Sequence, residues 1–287
     1  MTPVENILQP GVVKCNGYYA RPDAAEAQTI WDRLATDNPI HAAISVSDEA
    51  QEKLRSRPIV DVLAAELPPG RVLDLGCGYG RVAKYVLAER TLETYIGVDS
   101  SITMLKLFEQ RYTSSDLERR TPLVLVNSTI EDTLLDNNSV DAVFSCAVLL
   151  HNPKPICESA IREAYRVLKP GGKLLLLASF PNKYTMSGVL GAAYHGVYRL
   201  KGEENRNGPV RYFSEKEVRG FLGNYESVEI RRTGFHAIPS RFAFLNERYN
   251  ERYRRRIFDP IQSAAGKVPL EKVKEFACRH IDVIACK

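Results

Sequence analysis

Short apolar runs alternate with helix-like stretches through the middle of the 287-residue chain. Five runs have the length of buried strands, namely residues 71–75, 94–98, 122–127, 140–146 and 172–180. Three stretches have apolar residues at helical spacing, namely about 80–90, 101–112 and 154–168. This alternation predicts a mainly parallel sheet with crossover helices, and the continuous apolar strands indicate that both faces of the sheet are covered.

The segment before the first of these strands has two parts. Residues 1–46 are predicted to be a loop-rich lead-in, which could act as a lid. From Asp48 to Leu67 the pattern is helical, and Pro58 is expected to divide or kink that helix because proline lacks a backbone N–H. The apolar positions expected to contact the core are Leu54, Ile59, Val60, Leu63 and Leu67.

After Phe180 the alternation stops, and two insertions are predicted at about 181–211 and 236–278. Between them Ser214 is expected to cap a helix, a strand-like stretch follows at 225–235, and residues 280–287 supply the last strand. The whole pattern predicts an α/β fold, a doubly wound, mostly parallel seven-stranded sheet with helices on both faces. A helical N-terminal lead-in precedes the sheet, insertions follow strand five and separate strands six and seven, and residues 47–287 form one domain.

Composition narrows the class of protein. The net charge of +4 is too small to indicate a nucleic-acid partner by itself. The six cysteines form no C-x-x-C pair and no tight Cys/His cluster, which favours a reducing compartment without a structural metal. The first residues lack a basic region followed by an apolar core, and no apolar run approaches the ~20 residues of a membrane helix. We therefore expect a cytoplasmic protein with no membrane partner.

A glycine-rich loop follows the first strand in the segment VLDLGCGYGRVAKYVL, residues 72–87. A phosphate-binding P-loop ends in Gly-Lys-Ser/Thr, and a dinucleotide-binding loop needs its third glycine where Arg81 stands, so both patterns fail. Asp74, two residues before Gly76, is unfavourable beside a pyrophosphate and favourable beside a ligand that carries an ammonium group. The loop therefore favours a ligand with an amino-acid tail and no phosphate.

This segment resembles the first motif of the class I S-adenosylmethionine-dependent methyltransferases. Further motifs of that family follow in order, namely YIGVDSS, STIEDTLLDNNSVDAVFSCAVLLH and EAYRVLKPGGKLLLLASF. The resemblance covers residues 60–180 well and 211–235 loosely. It implies that S-adenosylmethionine is the methyl donor and that S-adenosylhomocysteine is the product.

The resemblance also implies which residues hold the cofactor. Asp99 would accept hydrogen bonds from both ribose hydroxyls, and Met104 would pack on the adenine. Thr129 departs from the usual aspartate, so the contact with the exocyclic amine of adenine is left to the backbone. The full set of implied cofactor residues is Asp74, Gly76, Cys77, Gly78, Gly80, Asp99, Ser100, Met104, Thr129, Ile130 and Cys146.

The methyl acceptor is expected just beyond the fourth and fifth strands. His151 is the candidate general base, and the alternative is a structural role in the loop. Five aromatic residues and one histidine are candidates for lining the acceptor site or covering the cofactor, and the alternative is that they pack the lead-in and the first insertion onto the sheet. They are Tyr18, Tyr19, Tyr184, Tyr194, His195 and Tyr198.

Residues 241–258 carry six arginines and two glutamates, with apolar residues at helical spacing. This pattern fits a surface helix, and it also fits a nucleic-acid-binding helix. The main functional expectation is methyl transfer to a small-molecule acceptor, a metabolite or a natural-product intermediate. The alternatives are an RNA or protein methyltransferase that docks through the basic helix at 241–256, and a non-catalytic subunit that only binds S-adenosylmethionine.

Overall fold

The computed structural model describes residues 7–15, 17–22, 31–32, 49–114, 120–185, 188–189, 193, 210–235, 256, 259–267 and 278–287. Strands and helices alternate along the described chain. In order they are β1 (Val13–Cys15), β2 (Tyr18–Ala20), α1 (Glu49–Glu66), β3 (Arg71–Leu75), α2 (Arg81–Glu89), β4 (Thr94–Asp99), α3 (Ile102–Thr113), β5 (Leu123–Asn127), β6 (Val140–Cys146), α4 (Lys154–Val167), β7 (Leu168–Pro181), α5 (Glu215–Phe221), β8 (Ser227–Phe235), α6 (Asp259–Gly266) and β9 (Cys278–Cys286).

One sheet contains all nine strands of the described residues, in the order β1-β2-β5-β4-β3-β6-β7-β9-β8. The prediction of seven strands is therefore wrong in number, because the lead-in adds β1 and β2 at one edge. β2 pairs in parallel with β5 at Tyr19 and Val126, and β1 folds back on β2 through Gly17. Gly17 has φ +94°, a left-handed conformation that suits glycine. The other seven strands, β3 to β9, correspond to those predicted.

The order of the strands places a ligand-binding crevice beside β3. The chain runs from β3 through β4 to β5 on one side, and β6 and β7 then extend the sheet from the other side of β3. All of these strands are parallel. Ligands of such sheets bind at the carboxyl ends of the strands where the winding reverses. That point is between the ends of β3 and β6, at Leu75 and Cys146.

Helices cover both faces of the sheet, as predicted. One hydrophobic cluster joins the sheet to residues of α4 and α5, and a second joins the opposite face to residues of α1, α2 and α3. Adjacent residues of β3 separate accordingly, because Leu73 faces the first cluster and Val72 faces the second. The site at the strand ends is thus built on a sheet that is packed on both sides.

Helix α1 is single and contains Pro58 inside it, so of the two predicted outcomes, division or a kink, the division is wrong. A proline removes the bond to the carbonyl four residues earlier, here that of Leu54. Leu54 is 63% exposed, which corrects its assignment to the core. Val60 and Leu63 are buried as expected.

The elements after β7 agree with the sequence where the structure describes them. Ser214 caps α5 in a capping box, since its hydroxyl accepts from the N–H of Glu217 while that glutamate accepts from the N–H of Ser214. β9 lies antiparallel between β7 and β8. Most of both insertions, including the basic stretch at 241–255, lies outside the described residues.

Candidate functional site

The glycine loop at the end of β3 has three residues in the left-handed region, with φ +81° at Gly76, +53° at Gly78 and +74° at Gly80. A Cβ on Gly76 would lie 2.6 Å from Val148, and one on Gly80 would lie 2.3 Å from the ring of Phe108. A Cβ on Gly78 would meet nothing within 4 Å. Protein contacts therefore account for the outer two glycines, while the middle one borders open space.

Buried polar contacts hold this loop from behind. The Tyr79 hydroxyl donates to Glu52 Oε2 at 2.8 Å, and Glu52 also accepts from Arg111 at 2.9 Å. Arg81 is buried and donates to Ser56 Oγ at 2.9 Å and to Cys146 Sγ at 3.4 Å. Buried charges of this kind need partners, and these contacts supply them. They fix the loop to α1 on one side and to the end of β6 on the other.

Asp74 lies one residue before the end of β3, fully enclosed, with 3% of its surface exposed. Its Oδ2 accepts a hydrogen bond from the Tyr95 hydroxyl at 2.6 Å. Burial raises the pKa of Asp74 to about 7, while the bond from Tyr95 opposes that shift. Asp74 is thus a carboxyl group that titrates near neutrality and gains from a nearby positive charge.

Asp99 ends β4 and is half-buried. Its two oxygens accept from two backbone N–H groups, Oδ2 from Gly78 at 2.8 Å and Oδ1 from Ser101 at 2.9 Å. Burial raises the pKa of Asp99, and these two bonds oppose the rise. The Asn127 amide donates to the carbonyl oxygens of Asp99 and Ser100, both at 3.1 Å, and so joins the ends of β4 and β5. The carboxylate is held in one orientation beside the open space at Gly78.

Two residues of the lead-in lie at this site, although no motif had marked them as site residues. Asp32 Oδ1 accepts from Ser101 Oγ at 2.5 Å and from the N–H of Thr103 at 3.1 Å, at the beginning of α3. Trp31 packs against the buried pair Tyr79 and Met104. These contacts bring the lead-in onto the carboxyl ends of β3 and β4.

His151 follows β6 in a short 3₁₀ turn, Leu149–His151. Its ring meets that of Trp31 with the centroids 5.0 Å apart and the planes at 72°. This is an edge-to-face arrangement of the kind that aromatic rings favour. Trp31 therefore packs against the cluster of Tyr79 and Met104 and also contacts His151, which follows β6.

The carboxyl ends of β6 and β7 contain backbone strain. Ala147 has φ +58° and Ala178 has φ +50°, which L-residues with a Cβ seldom adopt. The Ala178 N–H donates to Asp282 Oδ1 at 2.8 Å, and Thr233 Oγ1 donates to Asp282 Oδ2 at 2.7 Å. Strained residues of this kind concentrate at functional sites because the surrounding contacts must hold them. Asp282 therefore stabilises the strained backbone at Ala178, near the carboxyl end of β7.

The remaining cofactor candidates occupy varied positions. Cys77 is buried with its sulfur against Gly97, so only its backbone faces the crevice. Ser100 and Thr129 are exposed, and Ile130 is buried. Thr129 faces Asp132 across an isolated bridge. Cys146 is 9% exposed at the end of β6, and burial raises the pKa of its thiol.

The aromatic acceptor candidates are not brought together by the structure where it describes them. Tyr18 is buried in the core cluster beneath α3, and Tyr19 packs against the opposite cluster. Tyr184 is 64% exposed with Lys183 above its ring. The packing alternative therefore describes Tyr18 and Tyr19. Tyr194, His195 and Tyr198 lie outside the described residues.

Comparisons with known proteins agree with this geometry. Residues 73–176, from β3 into β7, match the family described as "Methyltransferase domain". This match covers about a third of the chain and assigns a methyltransferase domain to that part of the sheet. The methyltransferase GfsG of Streptomyces halstedii is 28% identical to this chain over 61% of its residues. The match covers 62% of GfsG, so this chain spans less than two thirds of that relative. A ubiquinone biosynthesis O-methyltransferase of Xanthomonas campestris is 29% identical over 62% of this chain and 68% of its own length.

A solved methyltransferase structure is similar in fold to this chain over most of the length of both. The S-adenosylmethionine-dependent methyltransferase of Thermotoga maritima, described as a possible histamine N-methyltransferase, superposes with a TM-score of 0.53. The sequence identity is 18%, and the superposition covers 90% of this chain and 97% of that one. At this identity the likeness concerns the fold.

Two absences concern only the part of the chain that the structure describes. There, no group of three or more His, Cys, Asp or Glu side chains is arranged to hold a metal ion. None of the described helices has both the length and the apolar character to cross a membrane.

Proposed function

We propose that this chain is an S-adenosylmethionine-dependent methyltransferase and that it moves the methyl group to a small-molecule acceptor held at the carboxyl ends of β6 and β7. The observation that carries the cofactor site is the open space at Gly78 beside the oriented Asp99 carboxylate. A ribose offers two hydroxyl donors, and a carboxylate fixed by backbone N–H groups keeps lone pairs for them.

The residues fit the chemical parts of this cofactor. The enclosed Asp74 suits the ammonium group of the amino-acid tail, because a cation beside it stabilises the ionised carboxyl. The glycine loop lets that tail approach the backbone at Gly78, and Met104 offers an apolar surface for the adenine. Ser100, Thr129 and Ile130, at the ends of β4 and β5, complete the adenosine side, with Cys77 and Cys146 contributing backbone atoms. None of these cofactor residues has a basic side chain that could bind a phosphate.

S-adenosylmethionine supplies a methyl group already activated on a sulfonium, so the protein's task is alignment and exclusion of water. The rigid ends of β6 and β7 hold the acceptor in place. Where the acceptor atom carries a proton, His151 takes it, since an imidazole titrates near neutrality. Trp31 against His151 keeps the ring in one orientation.

The small size of the acceptor is supported by the relatives. Ubiquinone biosynthesis, named for the Xanthomonas relative, is a small-molecule pathway. The half-buried position of His151 against Trp31 suits an enclosed acceptor. To test the proposal, the purified chain is incubated with methyl-labelled S-adenosylmethionine and a panel of phenols, quinols, hydroxy acids and amines. Labelled small-molecule product is the expected result.

The same assay addresses the alternatives. Label transferred only to RNA or protein, and lost in the double variant Arg254→Ala/Arg255→Ala, would favour docking through the basic stretch at 241–256. Binding of S-adenosylhomocysteine with transfer to no acceptor until a second protein is added would favour a non-catalytic subunit. Either outcome contradicts the small-molecule proposal.

An Asp99→Ala variant is expected to bind S-adenosylhomocysteine about 1–3 kcal/mol more weakly, because a charged acceptor of two ribose hydrogen bonds is lost. Isothermal calorimetry measures the change. Thermal unfolding without ligand serves as the control, since Asp99 also accepts from Gly78 and Ser101. Parental affinity in a folded variant would refute the ribose role.

A His151→Ala variant is expected to lose turnover by about 10²-fold or more where the acceptor carries a proton, the usual scale for a general base. Its affinity for S-adenosylhomocysteine should stay near that of the parent. A rate that falls on the acid side of the parent's pH profile, and no longer does so in the variant, would support the assignment. Equal turnover in the two proteins would leave His151 a structural residue.

A further inference from the structure

The lead-in contributes an aromatic side chain that lies across the crevice. Trp31 is half-buried and packs against Met104 and Tyr79 on one side, and its ring meets His151 on the other. Met104 and Tyr79 are almost fully buried, with 3% and 1% of their surfaces exposed. Trp31 is therefore in contact with both the adenosine side and the acceptor side of the site.

Asp32, the next residue, is hydrogen-bonded to the beginning of α3. Asp32 Oδ1 accepts from the Ser101 hydroxyl at 2.5 Å and from the Thr103 N–H at 3.1 Å. The first N–H groups of a helix lack partners within the helix, and a carboxylate placed there is stabilising. Asp32 thus fixes the lead-in to the beginning of α3, next to the position of Trp31.

Ser101 connects Asp32 to the carboxylate of Asp99, the proposed ribose contact. Its side chain is fully buried, and its hydroxyl, besides donating to Asp32, accepts from the Met104 N–H at 3.1 Å. Its own backbone N–H donates to Asp99 Oδ1 at 2.9 Å. One buried serine therefore connects Asp99, Asp32 and the first turn of α3 through hydrogen bonds.

We propose that Trp31 is a positioning residue that forms the outer wall of the cofactor crevice, and that cofactor binding at Asp99 fixes this wall through Ser101 and Asp32. The proposal rests on the proposed function, because it takes Asp99 and Met104 as cofactor contacts. Its consequence is that occupation of the adenosine site closes the crevice against water and sets the His151 ring for the acceptor.

Trp31 is the single tryptophan of the sequence, so fluorescence excited at a wavelength where the 14 tyrosines barely absorb reports on this wall. Titration with S-adenosylhomocysteine is expected to change the emission with the dissociation constant that calorimetry gives. Quenching of the emission by acrylamide should fall by about twofold or more in the complex, because the ring loses its contact with solvent. Binding seen in calorimetry without either change would overturn the proposal while leaving the cofactor site intact.

Variants separate a positioning role from a packing role. Trp31→Ala should weaken S-adenosylhomocysteine binding about tenfold, and Trp31→Phe should recover most of it, since a ring supplies the contact. Asp32→Ala should weaken binding about threefold to tenfold and make Trp31 easier to quench in the complex. Asp61→Ala, at an exposed aspartate of α1 paired with Arg57, is the control and should change neither quantity.

The unliganded unfolding midpoints complete the test. A role limited to packing would lower the midpoint of Trp31→Ala and leave its affinity near that of the parent, which would overturn the proposal. A parent chain that does not bind S-adenosylhomocysteine at all would overturn the proposed cofactor site and this inference together. Weaker binding in Trp31→Ala with a little-changed midpoint is the supporting result.

Discussion

An Asp74→Asn variant is expected to unfold at a higher denaturant concentration than the parent and yet to bind S-adenosylhomocysteine at least tenfold more weakly. The reason for the stability gain is that burial raises the pKa of Asp74 from 3.8 to about 7. A carboxyl group with a raised folded-state pKa stabilises the fold while it is protonated, and this contribution is lost as the pH rises through about 7.

The expected gain is about 1–3 kcal/mol at pH 8, because ionising the buried carboxyl group costs more free energy than burying the amide of asparagine. Asparagine keeps an oxygen that can accept from the Tyr95 hydroxyl. Urea unfolding at pH 8 and pH 5.5 measures the gain, which should shrink at the lower pH, where Asp74 is protonated in the parent. An equal gain at both values would contradict the assigned titration.

The loss of affinity follows from the same carboxyl group. An ammonium group binds the ionised form of Asp74, so the parent's affinity should fall by up to about tenfold for each pH unit below 7. Asp74→Asn should remove that part of the pH dependence. Tyr95→Phe should move the pH dependence to higher pH, since the bond from Tyr95 lowers the pKa of Asp74 more than the charge of Arg81 does. Calorimetry between pH 5.5 and 8 distinguishes the three proteins.

Asp282→Asn is the matched control for this experiment. Asp282 is also buried, burial also raises its pKa, and it accepts from two neighbours on other strands. This substitution should alter stability and leave the affinity for S-adenosylhomocysteine near that of the parent. Unchanged affinity in Asp74→Asn would mean that the ligand's ammonium group is held elsewhere.

The central strands and helices could be predicted from the sequence because each has a full run or stripe of apolar residues that it buries. β3 and β6 have the predicted bounds, and α4 ends within a residue of the prediction. β1 and β2 were missed because three residues are too few to show a period, and their pairing depends on β5, more than a hundred residues away in the sequence. A tertiary contact, rather than local preference, makes them strands.

Some residues of the candidate site could likewise be predicted from sequence motifs, and others could not. Asp74, Gly78 and Asp99 are within motifs at strand ends, and parallel strands necessarily bring such ends together. Trp31 and Asp32 belong to no motif, and they reach the site only because Ser101 and Met104 offer them a hydroxyl and an apolar side chain. The one available signal was composition, since a lone tryptophan in a loop-rich lead-in needs an apolar partner.

Gly78→Ala is expected to lower the affinity for S-adenosylhomocysteine by about 100-fold or more while the chain still folds. A Cβ at Gly78 meets no protein atom within 4 Å, so the only obstacle in the folded state is the positive φ, which costs roughly 1–2 kcal/mol in an L-residue. The methyl group then occupies the space that the proposal gives to the ligand. Alanine keeps the backbone N–H of residue 78 that donates to Asp99, so the Asp99 carboxylate stays oriented.

Two other alanine substitutions separate strain from obstruction. Gly171, near the amino end of β7, also has a positive φ, +76°, and open surroundings, so Gly171→Ala should cost similar stability and leave the affinity unchanged. Gly80→Ala places a Cβ 2.3 Å from the ring of Phe108, so overpacking adds about 1–3 kcal/mol to the cost of strain. Unfolding and calorimetry on all three should therefore show a binding loss at Gly78, a small stability loss at Gly171 and a large one at Gly80. Parental affinity in Gly78→Ala would mean that no ligand approaches the loop there, because strain alone is already measured at Gly171.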